Sequence, residues 1–435
     1  MRNRHTLIVE AKENAEPSLV ALLRDRACTI QYTSEGDTAL SIIQTFVPDL
    51  VFLDMWLPGM DGMSLLRIIR QLHPESKVIM MSGHGNVTTV AHAMRIGAYD
   101  YIEKPFVLAH LLTVLHRLFT PDTASSAVLS SIMTRSPLLE SSRRDYTLPT
   151  RRVARPQRTL CQSVTCYGQG LQSGLKTGLI LTPLPPNHGI LFKDLATGVS
   201  FPAHVTAVTS TDFCTSLASG AVTARTVEHL LSALHAYGVT NVLITLDGEV
   251  PIMDGSAATF CELLEAGQLV EQQEEAEEFV VERRYCVGEL AGNAKYLSVE
   301  PYDGLRITYS LEYPPPLGVQ EFTYEHYDGQ SYRREIAPAR TFAFVPDVEK
   351  MHEQGLIPGG RLNNVVLIDD GKIINHAPLR FADECVRHKI LDLLGDLYLL
   401  GKGLRGHVRA YKTGHTENIT LVKQLAALST RPDMP

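Results

Sequence analysis

The chain has 435 residues, of which 44% are hydrophobic and 20% are charged, values typical of globular proteins. This length exceeds what one ordinary hydrophobic core supports, so the sequence predicts two or three domains. The formal net charge of -8 argues against a dedicated nucleic-acid binder. The seven cysteines are scattered without a Cys-x-x-Cys pair, and no signal-peptide pattern or bilayer-length apolar run occurs. These features predict a cytoplasmic protein that is not an integral membrane protein.

Residues 1–120 alternate short apolar runs with amphipathic helical stretches. The runs are typical of buried strands in a parallel sheet, and they occupy Leu7–Val9, Leu50–Leu53, Val78–Met81 and Ala98–Ile102. This alternation predicts a doubly wound, flavodoxin-like α/β domain, in which ligands gather at the carboxyl ends of the strands. Polar side chains stand at those ends, namely Glu10, Asp54, Ser82 and Lys104. We therefore expect a polar site at one edge of this sheet.

Residues 121–157 are rich in Pro, Ser, Thr and Arg, a composition that predicts a linker. A basic cluster lies at its end and consists of Arg151, Arg152, Arg155 and Arg158. Because no aromatic residues lie between these arginines, a solvated linker is favoured over a segment that contacts a membrane surface or nucleic acid. Residues 158–428 combine β-rich segments with a few helical stretches, which predicts an α+β region. We expect the acidic run Glu271–Glu278 to separate two halves, residues 158–272 and 273–428.

A helical pattern over Ala382–Leu400 places ionisable side chains on one helix face. His388 and Asp392 are four residues apart, and Asp396 follows after another four. Because residues at this spacing are neighbours on a helix surface, all three side chains leave the helix on the same side.

A second helical stretch, Ala224–Tyr237, carries the pair Glu228-His229. Two neutral imidazoles and one carboxylate suit a catalytic Zn²⁺, where three protein ligands leave one position open for water. A carboxylate beside such a ligand is placed to act as a base. By spacing alone, a His/Asp pair on one helix face is more often a surface ion pair or a satisfied core pair, so the metal site depends on the wider pattern.

Three ordered motifs follow the predicted strands of the N-terminal region, at Val51–Gly62, Met81–Gly85 and Ala98–Phe106. With them, residues 5–119 resemble response-regulator receiver domains. The resemblance implies that Asp54 is the phospho-acceptor, that Ser82 and Lys104 contact the phosphoryl group, and that Tyr101 is the switch aromatic. It also implies that a histidine kinase is a possible partner.

The acidic pair expected after the first strand of a receiver is Glu10-Ala11 in this chain. One carboxylate that would bind Mg²⁺ is therefore lengthened and the other is missing. Because Mg²⁺ demands near-ideal octahedral geometry, we predict weak or absent Mg²⁺-dependent phosphorylation of Asp54. Two interpretations stay open, a working phosphorylation switch and a pseudo-receiver used for docking or dimerisation.

Five ordered motifs lie between about residue 158 and residue 425, at Thr226–Leu234, Pro251–Ala257, Ala339–Phe342, Phe381–Leu397 and Ala410–His415. Together they resemble the UDP-3-O-acyl-N-acetylglucosamine deacetylases, zinc enzymes of bacterial lipid A synthesis. The resemblance implies that His229, His388 and Asp392 hold Zn²⁺ between the two halves of the region. The same ligands also accept Fe²⁺.

The same resemblance implies roles for further residues. Glu228 is the base, and a protonated His415, oriented by Asp396, stabilises the oxyanion and protonates the leaving amine. Thr341 offers a hydroxyl to the oxyanion. Substrate contacts are implied for Lys389, Phe342, Cys214 and Gln172. A packing role is favoured for Cys214, and Gln172 stands where the family usually has a histidine.

In the family, an inserted segment forms an apolar passage for the acyl chain, and it maps here to Phe344–Val366. Its candidate lining residues, which could equally be ordinary core, are Val345, Val348, Leu356, Ile357 and Leu362. We predict an enzyme that removes acetate from UDP-3-O-acyl-N-acetylglucosamine and whose output the receiver adjusts. The alternative is a non-catalytic protein that senses this lipid precursor and signals through the receiver.

Overall fold

The computed structural model describes residues 4–11, 17–24, 28–83, 86–119, 155–288 and 294–429. The chain forms two compact units. The first comprises Met1–Pro149 with two short segments from later in the chain, Val345–Glu349 and Ile373–Pro378, called here the two late segments. The second comprises Thr150–Phe344, Lys350–Lys372 and Leu379–Pro435. Residues 121–154 of the predicted linker, with Arg151 and Arg152 of its basic cluster, lie outside the described residues.

The first unit is built on a five-stranded, fully parallel sheet of order β2-β1-β3-β4-β5. Its strands are β1 Arg4–Val9, β2 Cys28–Thr33, β3 Leu50–Asp54, β4 Lys77–Ser82 and β5 Asp100–Glu103. Every residue of β3 is buried, as expected of an apolar central strand covered on both faces. The predicted doubly wound sheet is confirmed, although its last strand begins two residues later than the apolar pattern indicated.

Four helices connect these strands, α1 Pro17–Arg24, α2 Gly36–Thr45, α3 Gly62–Leu72 and α4 Val87–Ile96, and α5 Leu108–Phe119 follows the last strand. Side-chain caps fix two of their starting points. The Asp61 carboxylate accepts the backbone N–H of Ser64 at the start of α3, and Asn86 accepts that of Thr89 at the start of α4. Each cap satisfies a backbone donor that the helix itself leaves without a partner.

The N-terminal part of the second unit contains a five-stranded sheet of order β10-β9-β14-β8-β7, a three-stranded sheet β11-β12-β13 and the pair β15-β6. The strands are β6 Pro156–Leu160, β7 Val164–Gln169, β8 Lys176–Pro183, β9 Ile190–Asp194, β10 Ser200–Pro202, β11 Val208–Ser210, β12 Ser216–Ser219, β13 Val222–Ala224, β14 Val242–Leu246 and β15 Leu269–Glu275. Two helices accompany them, α6 Glu228–Tyr237 and α7 Ala258–Gly267. The acidic run Glu271–Glu278 lies largely in β15, where its side chains are mostly exposed.

The C-terminal part contains a six-stranded sheet, in which β17-β18-β24-β19-β20 form a row and β16 also pairs with β24, and a three-stranded sheet β21-β22-β23. The strands are β16 Glu278–Val280, β17 Tyr285–Gly288, β18 Tyr296–Glu300, β19 Leu305–Glu312, β20 Val319–His326, β21 Phe342–Phe344, β22 Val366–Asp369, β23 Lys372–Ile373 and β24 Gly403–Tyr411. The helices are α8 Gly329–Glu335, α9 Val345–Glu353, α10 Glu384–Tyr398 and α11 His415–Ser429. Two of these elements cross the division of the chain, because Val345–Glu349 of α9 and Ile373 of β23 belong to the first unit. Among the described helices, none combines the length and the apolar character needed to cross a membrane.

The close packing of α6 against α10 brings the predicted metal ligands together. Every residue of α6 is buried, as expected of a helix enclosed on all sides. Gly395 of α10 lies against the start of α6, and a Cβ atom at this position would be 2.0 Å from the Glu228 carbonyl oxygen. Because only glycine lacks that atom, Gly395 lets the two backbones approach closely, and any larger residue here would push Glu228 away from α10.

Candidate functional site

Three buried side chains from two helices form a candidate metal centre. His229 lies in the first turn of α6, and His388 and Asp392 project from α10. One ligand atom from each of the three lies within 4.8 Å of the other two. Asp392 Oδ1 is 3.3 Å from His388 Nε2 and 3.7 Å from His229 Nε2. Ligand atoms about 2.0–2.1 Å from a tetrahedral ion lie roughly 3.3 Å from one another, so this spacing can accommodate such an ion.

The protonation states of the three residues suit metal binding. Burial lowers the pKa of His229 to about 3 and also lowers the pKa of His388. Burial opposes ionisation of Asp392, but the neighbouring His388 and Lys389 hold its pKa below the usual range. His388 Nδ1 is 3.0 Å from the Ala339 carbonyl oxygen, to which it donates, so Nε2 carries the lone pair. Neutral imidazoles and an ionised carboxylate are the forms that bind metal.

Glu228 and His415 face each other beside this centre. Glu228 begins α6 and His415 begins α11, and His415 Nε2 lies 3.9 Å from Glu228 Oε1. Burial raises the pKa of Glu228 to about 7. Burial lowers the pKa of His415, but the Asp396 carboxylate, 2.8 Å from His415 Nδ1, outweighs it and raises the pKa to about 9. A carboxyl group that titrates near neutrality therefore faces a cationic imidazole, which supplies one base and one acid.

Two further residues hold this acid and base in place, and sequence reasoning missed both. The Thr215 backbone N–H donates to Glu228 Oε2 at 3.1 Å, and the Thr215 hydroxyl donates to Asp396 Oδ1 at 2.6 Å. Asn418 Nδ2 donates to Asp396 Oδ2 at 2.9 Å. Asn418 lies one turn after His415, and this spacing is the local signal that could have found it. Thr215 belongs to no motif, and its contact with Asp396 spans 181 residues.

The predicted substrate residue Lys389 contacts the metal centre directly. Its ammonium Nζ lies 2.9 Å from Asp392 Oδ2, which is the second oxygen of the ligand carboxylate. Phe342, also predicted to contact substrate, has its ring centroid 6.5 Å from that of His388, in an edge-to-face arrangement. Both side chains therefore border the metal centre, and the positive charge of Lys389 is engaged by Asp392 in this structure.

Cys214 is held by burial of its side chain, and Thr341 is held by hydrogen bonds of its backbone. Cys214 is buried, and burial raises the pKa of its thiol to about 11. Its Sγ lies 3.6 Å from the Ser216 hydroxyl, which fits the favoured packing role because the group stays a neutral thiol. The Thr341 backbone N–H donates to the Gly255 carbonyl, and the Thr341 carbonyl accepts from Val366. These backbone bonds fix the position of Thr341 directly before β21.

Gln172 presents an unsatisfied side chain. Its backbone N–H donates to Glu249 Oε1 at 2.7 Å, and the Thr226 hydroxyl donates to the same oxygen at 3.1 Å. The Gln172 side-chain nitrogen and oxygen are buried, and neither has a hydrogen-bond partner within the described ranges. Because a buried amide without partners is costly, a bound polar ligand would stabilise it. Gln172 is thus tied, through Glu249, to the segment that leads into α6.

The segment predicted to line an acyl passage is divided between the two units. Val345 and Val348 belong to the first unit, whereas Leu356, Ile357 and Leu362 belong to the second. Val345, Val348 and Ile357 are buried. A separate cavity of about 1000 Å³ in the second unit adjoins the C-terminal ends of α6 and α10 and includes none of the metal-centre residues.

The polar residues predicted at the strand ends of the first unit also converge. Glu10, Asp54 and Ser82 are buried at the carboxyl ends of β1, β3 and β4, and Lys104 directly follows β5. Lys104 Nζ lies 2.7 Å from Glu10 Oε1 and 2.9 Å from Asp54 Oδ2. Burial lowers the pKa of Lys104, but its hydrogen bonds to these two carboxylates raise it overall. The neighbouring Ala11 contributes no carboxylate to this site.

Comparisons with known proteins match each of the two regions to a family. Residues 157–427 match the model of the UDP-3-O-acyl N-acetylglycosamine deacetylase family, and residues 6–116 match that of the response regulator receiver domain. A UDP-3-O-acyl-N-acetylglucosamine deacetylase from Myxococcus xanthus is 43% identical over 273 residues, which cover 62% of this chain and 86% of that protein. One from Coxiella burnetii is 42% identical over 277 residues, which cover 62% of this chain and 90% of the relative.

Among solved structures, the receiver domain of NtrX from Brucella abortus is 41% identical, covering 26% of this chain and 95% of that domain, with a TM-score of 0.24. The receiver assignment rests on the family model and on the parallel sheet described above. The deacetylase family model spans well over half of the chain. The chain therefore belongs to the UDP-3-O-acyl N-acetylglycosamine deacetylase family and carries a response regulator receiver domain ahead of its deacetylase region.

Proposed function

We propose that this protein is a zinc-dependent hydrolase that removes acetate from UDP-3-O-acyl-N-acetylglucosamine in lipid A biosynthesis. The observation that carries the proposal is the placement of Glu228 and His415, 3.9 Å apart, beside the triad of His229, His388 and Asp392. A site that only bound the substrate would have no need of a base and an acid facing each other next to a metal site. The names of the relatives supply the substrate.

The triad would hold the metal where α6, from the first half of the deacetylase region, meets α10, from the second. When bound, zinc would lower the pKa of its water toward neutrality and polarise the amide carbonyl. Glu228 accepts a proton from the attacking water, since its raised pKa makes it a base suited to neutral pH. The Thr215 N–H donates a hydrogen bond to Glu228 Oε2 and so holds the carboxylate with Oε1 facing His415.

His415 completes the reaction as the acid. Its positive charge stabilises the negative oxygen that develops on the amide carbonyl, together with the Thr341 hydroxyl. When the carbon–nitrogen bond breaks, His415 gives its proton to the leaving amine, and acetate is released. Asp396 holds the imidazole through Nδ1, so that Nε2 faces the reacting atoms. We assign substrate contacts to Lys389, Phe342 and the unsatisfied amide of Gln172, with Cys214 packing behind them.

Acetate release from UDP-3-O-acyl-N-acetylglucosamine by the metal-loaded full-length chain tests this proposal. We expect stoichiometric release of acetate and formation of the free amine. The alternative function, a non-catalytic sensor of the lipid precursor, predicts binding of zinc and substrate with no acetate formed. That outcome would overturn the enzyme assignment.

We further propose that the receiver adjusts the deacetylase, either as a phosphorylation switch served by a histidine kinase or as a pseudo-receiver. The polar site at the strand ends of the first unit favours the pseudo-receiver, because Lys104 already bridges Glu10 and Asp54. Ala11 also supplies no second acidic ligand beside the lengthened Glu10, so the near-ideal octahedral geometry that Mg²⁺ demands is harder to reach at this site.

We predict that wild-type protein incubated with a small phosphodonor and Mg²⁺ is phosphorylated on Asp54 far below stoichiometry. The double variant Glu10→Asp with Ala11→Asp restores the acidic pair and should increase phosphorylation on the order of tenfold or more. Phosphate incorporation measured by intact-protein mass spectrometry checks this. Adding Asp54→Asn to the double variant should abolish the signal, and stoichiometric labelling of the wild type would contradict the prediction.

A further inference from the structure

The edge strand of the receiver sheet is bonded to a residue from much later in the chain. β5 is the last strand of the sheet, so among the described residues no strand pairs with its outer edge. At Tyr101 the backbone N–H donates to Asp100 Oδ1 at 2.9 Å, and the backbone carbonyl accepts a hydrogen bond from His376 Nε2. A carbonyl only accepts, so Nε2 of His376 carries a proton. The His376 side chain is 4% exposed, and its Nε2 lies 3.9 Å from Asp100 Oδ1.

A second contact joins the neighbouring helix to the other late segment. Arg95 of α4 forms an ion pair with Glu349, with Nη1 and Oε2 2.5 Å apart. The Glu349 side chain is only 12% exposed, whereas that of Arg95 is 69% exposed. Val345 and Val348 of the same segment are buried, and so is Ile374 of the segment that contains His376. Each late segment thus contributes one polar anchor and buried apolar side chains to the first unit.

These contacts lie close along the chain to the site formed by Glu10, Asp54 and Lys104, because the short strand β5 leads directly to Lys104. β5 spans Asp100–Glu103, and Lys104 follows it directly and bonds to both Glu10 and Asp54. At about 3.3 Å per residue, Tyr101 and Lys104 are roughly 10 Å apart along the strand. A change in the position of Lys104 therefore acts on the same stiff strand that holds His376.

The late segments also continue directly into the deacetylase site along the chain. Val345 follows β21, whose Phe342 ring packs beside His388. Val345–Glu349 is also the start of the segment predicted to form the acyl passage. The second late segment ends at Pro378, and two residues later Arg380 pairs with Asp254, with Nη2 and Oδ2 2.7 Å apart.

We propose that the α4–β5 face of the receiver, formed by Arg95, Asp100 and Tyr101, is a docking surface for the two late segments of this same chain. Through it, the receiver holds the start of the acyl-passage segment and tunes binding of the acylated substrate. The link to the passage rests on the proposed function, whereas the docking itself does not. A receiver dimer or partner that used this face would have to displace the late segments.

Hydrogen–deuterium exchange of the full-length chain tests the docking. Arg95→Glu places a negative charge against the largely buried Glu349, and we expect exchange in residues 345–349 to rise on the order of tenfold. The double variant Arg95→Glu with Glu349→Arg restores an opposite-charge pair and should restore protection. Arg24→Glu, the same change at an exposed arginine of α1, is the matched control. Equal exchange in Arg95→Glu and Arg24→Glu would overturn the docking.

A second pair of variants tests the β5 contact by a different chemistry. His376→Leu removes the donor to the Tyr101 carbonyl, whereas His376→Gln keeps a side-chain N–H. We expect exchange in residues 373–378 to rise more in the leucine variant than in the glutamine variant. Equal effects of the two substitutions would show that the hydrogen bond does not hold the segment, and would overturn the role given to His376.

The functional consequence is read from steady-state kinetics. We expect Arg95→Glu and His376→Leu to raise KM for the acylated substrate several-fold, with kcat and bound zinc close to wild type, because neither residue touches the metal centre. An unchanged KM with increased exchange would overturn the tuning of substrate binding. If wild-type protein released no acetate but showed the predicted exchange pattern, the proposed function would fail while the docking stood.

Discussion

Glu228→Gln is expected to lower kcat for deacetylation on the order of 10²-fold or more while leaving zinc bound. The substitution keeps the shape of the side chain and its bond to the Thr215 N–H, but an amide cannot accept the proton of the attacking water. The neighbouring ligand His229 keeps its contact with Asp392, so the metal content should be that of the wild type. Acetate release under saturating substrate, with zinc measured by atomic emission on the same sample, separates the two effects.

The matched control for this variant is Glu262→Gln, at an exposed position of α7. We expect it to have wild-type activity. His415→Ala should lose activity on the same scale, because the leaving amine then departs without a proton. If Glu228→Gln retained more than about a tenth of wild-type kcat, Glu228 could not be the base that the proposed reaction needs.

His388→Ala is expected to lose both the metal and the activity. The variant removes one of three ligands and leaves Asp392 and His229, which are too few for a tightly held catalytic ion. We expect substoichiometric metal after gel filtration and a loss of activity larger than that of Glu228→Gln.

Metal readdition to chelator-treated wild-type protein complements this variant. Activity should fall to background after removal of the ion and return with Zn²⁺, and a parallel arm with Fe²⁺ under anaerobic conditions tests the second metal that the ligands accept. His188→Ala, at an exposed histidine of the same unit, should retain metal and activity. Stoichiometric zinc in His388→Ala, or full activity of the metal-free wild type, would contradict the assignment of the triad.

Short-range patterns in the sequence were enough to predict the sheet and helix faces. The four-residue spacing of His388, Asp392 and Asp396 corresponds to one helical turn, so their common face follows from helix geometry alone. The convergence of Glu10, Asp54, Ser82 and Lys104 likewise follows from a parallel sheet, whose strands all end at one edge. In both cases the geometry depends on repeats of a few residues, which a single sequence displays.

The alternatives that spacing left open were decided by packing. His388 and Asp392 could have formed an ordinary ion pair, but the approach of α6 at Gly395 adds His229 and makes a triad. Thr215 and Asn418 both donate hydrogen bonds to Asp396, and neither residue belongs to one of the sequence motifs. Their contacts with Asp396 therefore became evident only from the folded structure. The engagement of Lys389 by Asp392 is also a result of the folded site, where burial favours pairing of the two charges.

The sequence by itself determined the two kinds of domain, the ligand types and the defect in the acidic pair at Glu10-Ala11, because these depend on residue identity and local period. Only the tertiary structure decided which side chains share a site and which segments of the chain meet. The contact of His376 with Tyr101 joins positions 275 residues apart. No local pattern encodes such a contact, since it exists only after the intervening chain has folded and brought both groups to one buried surface.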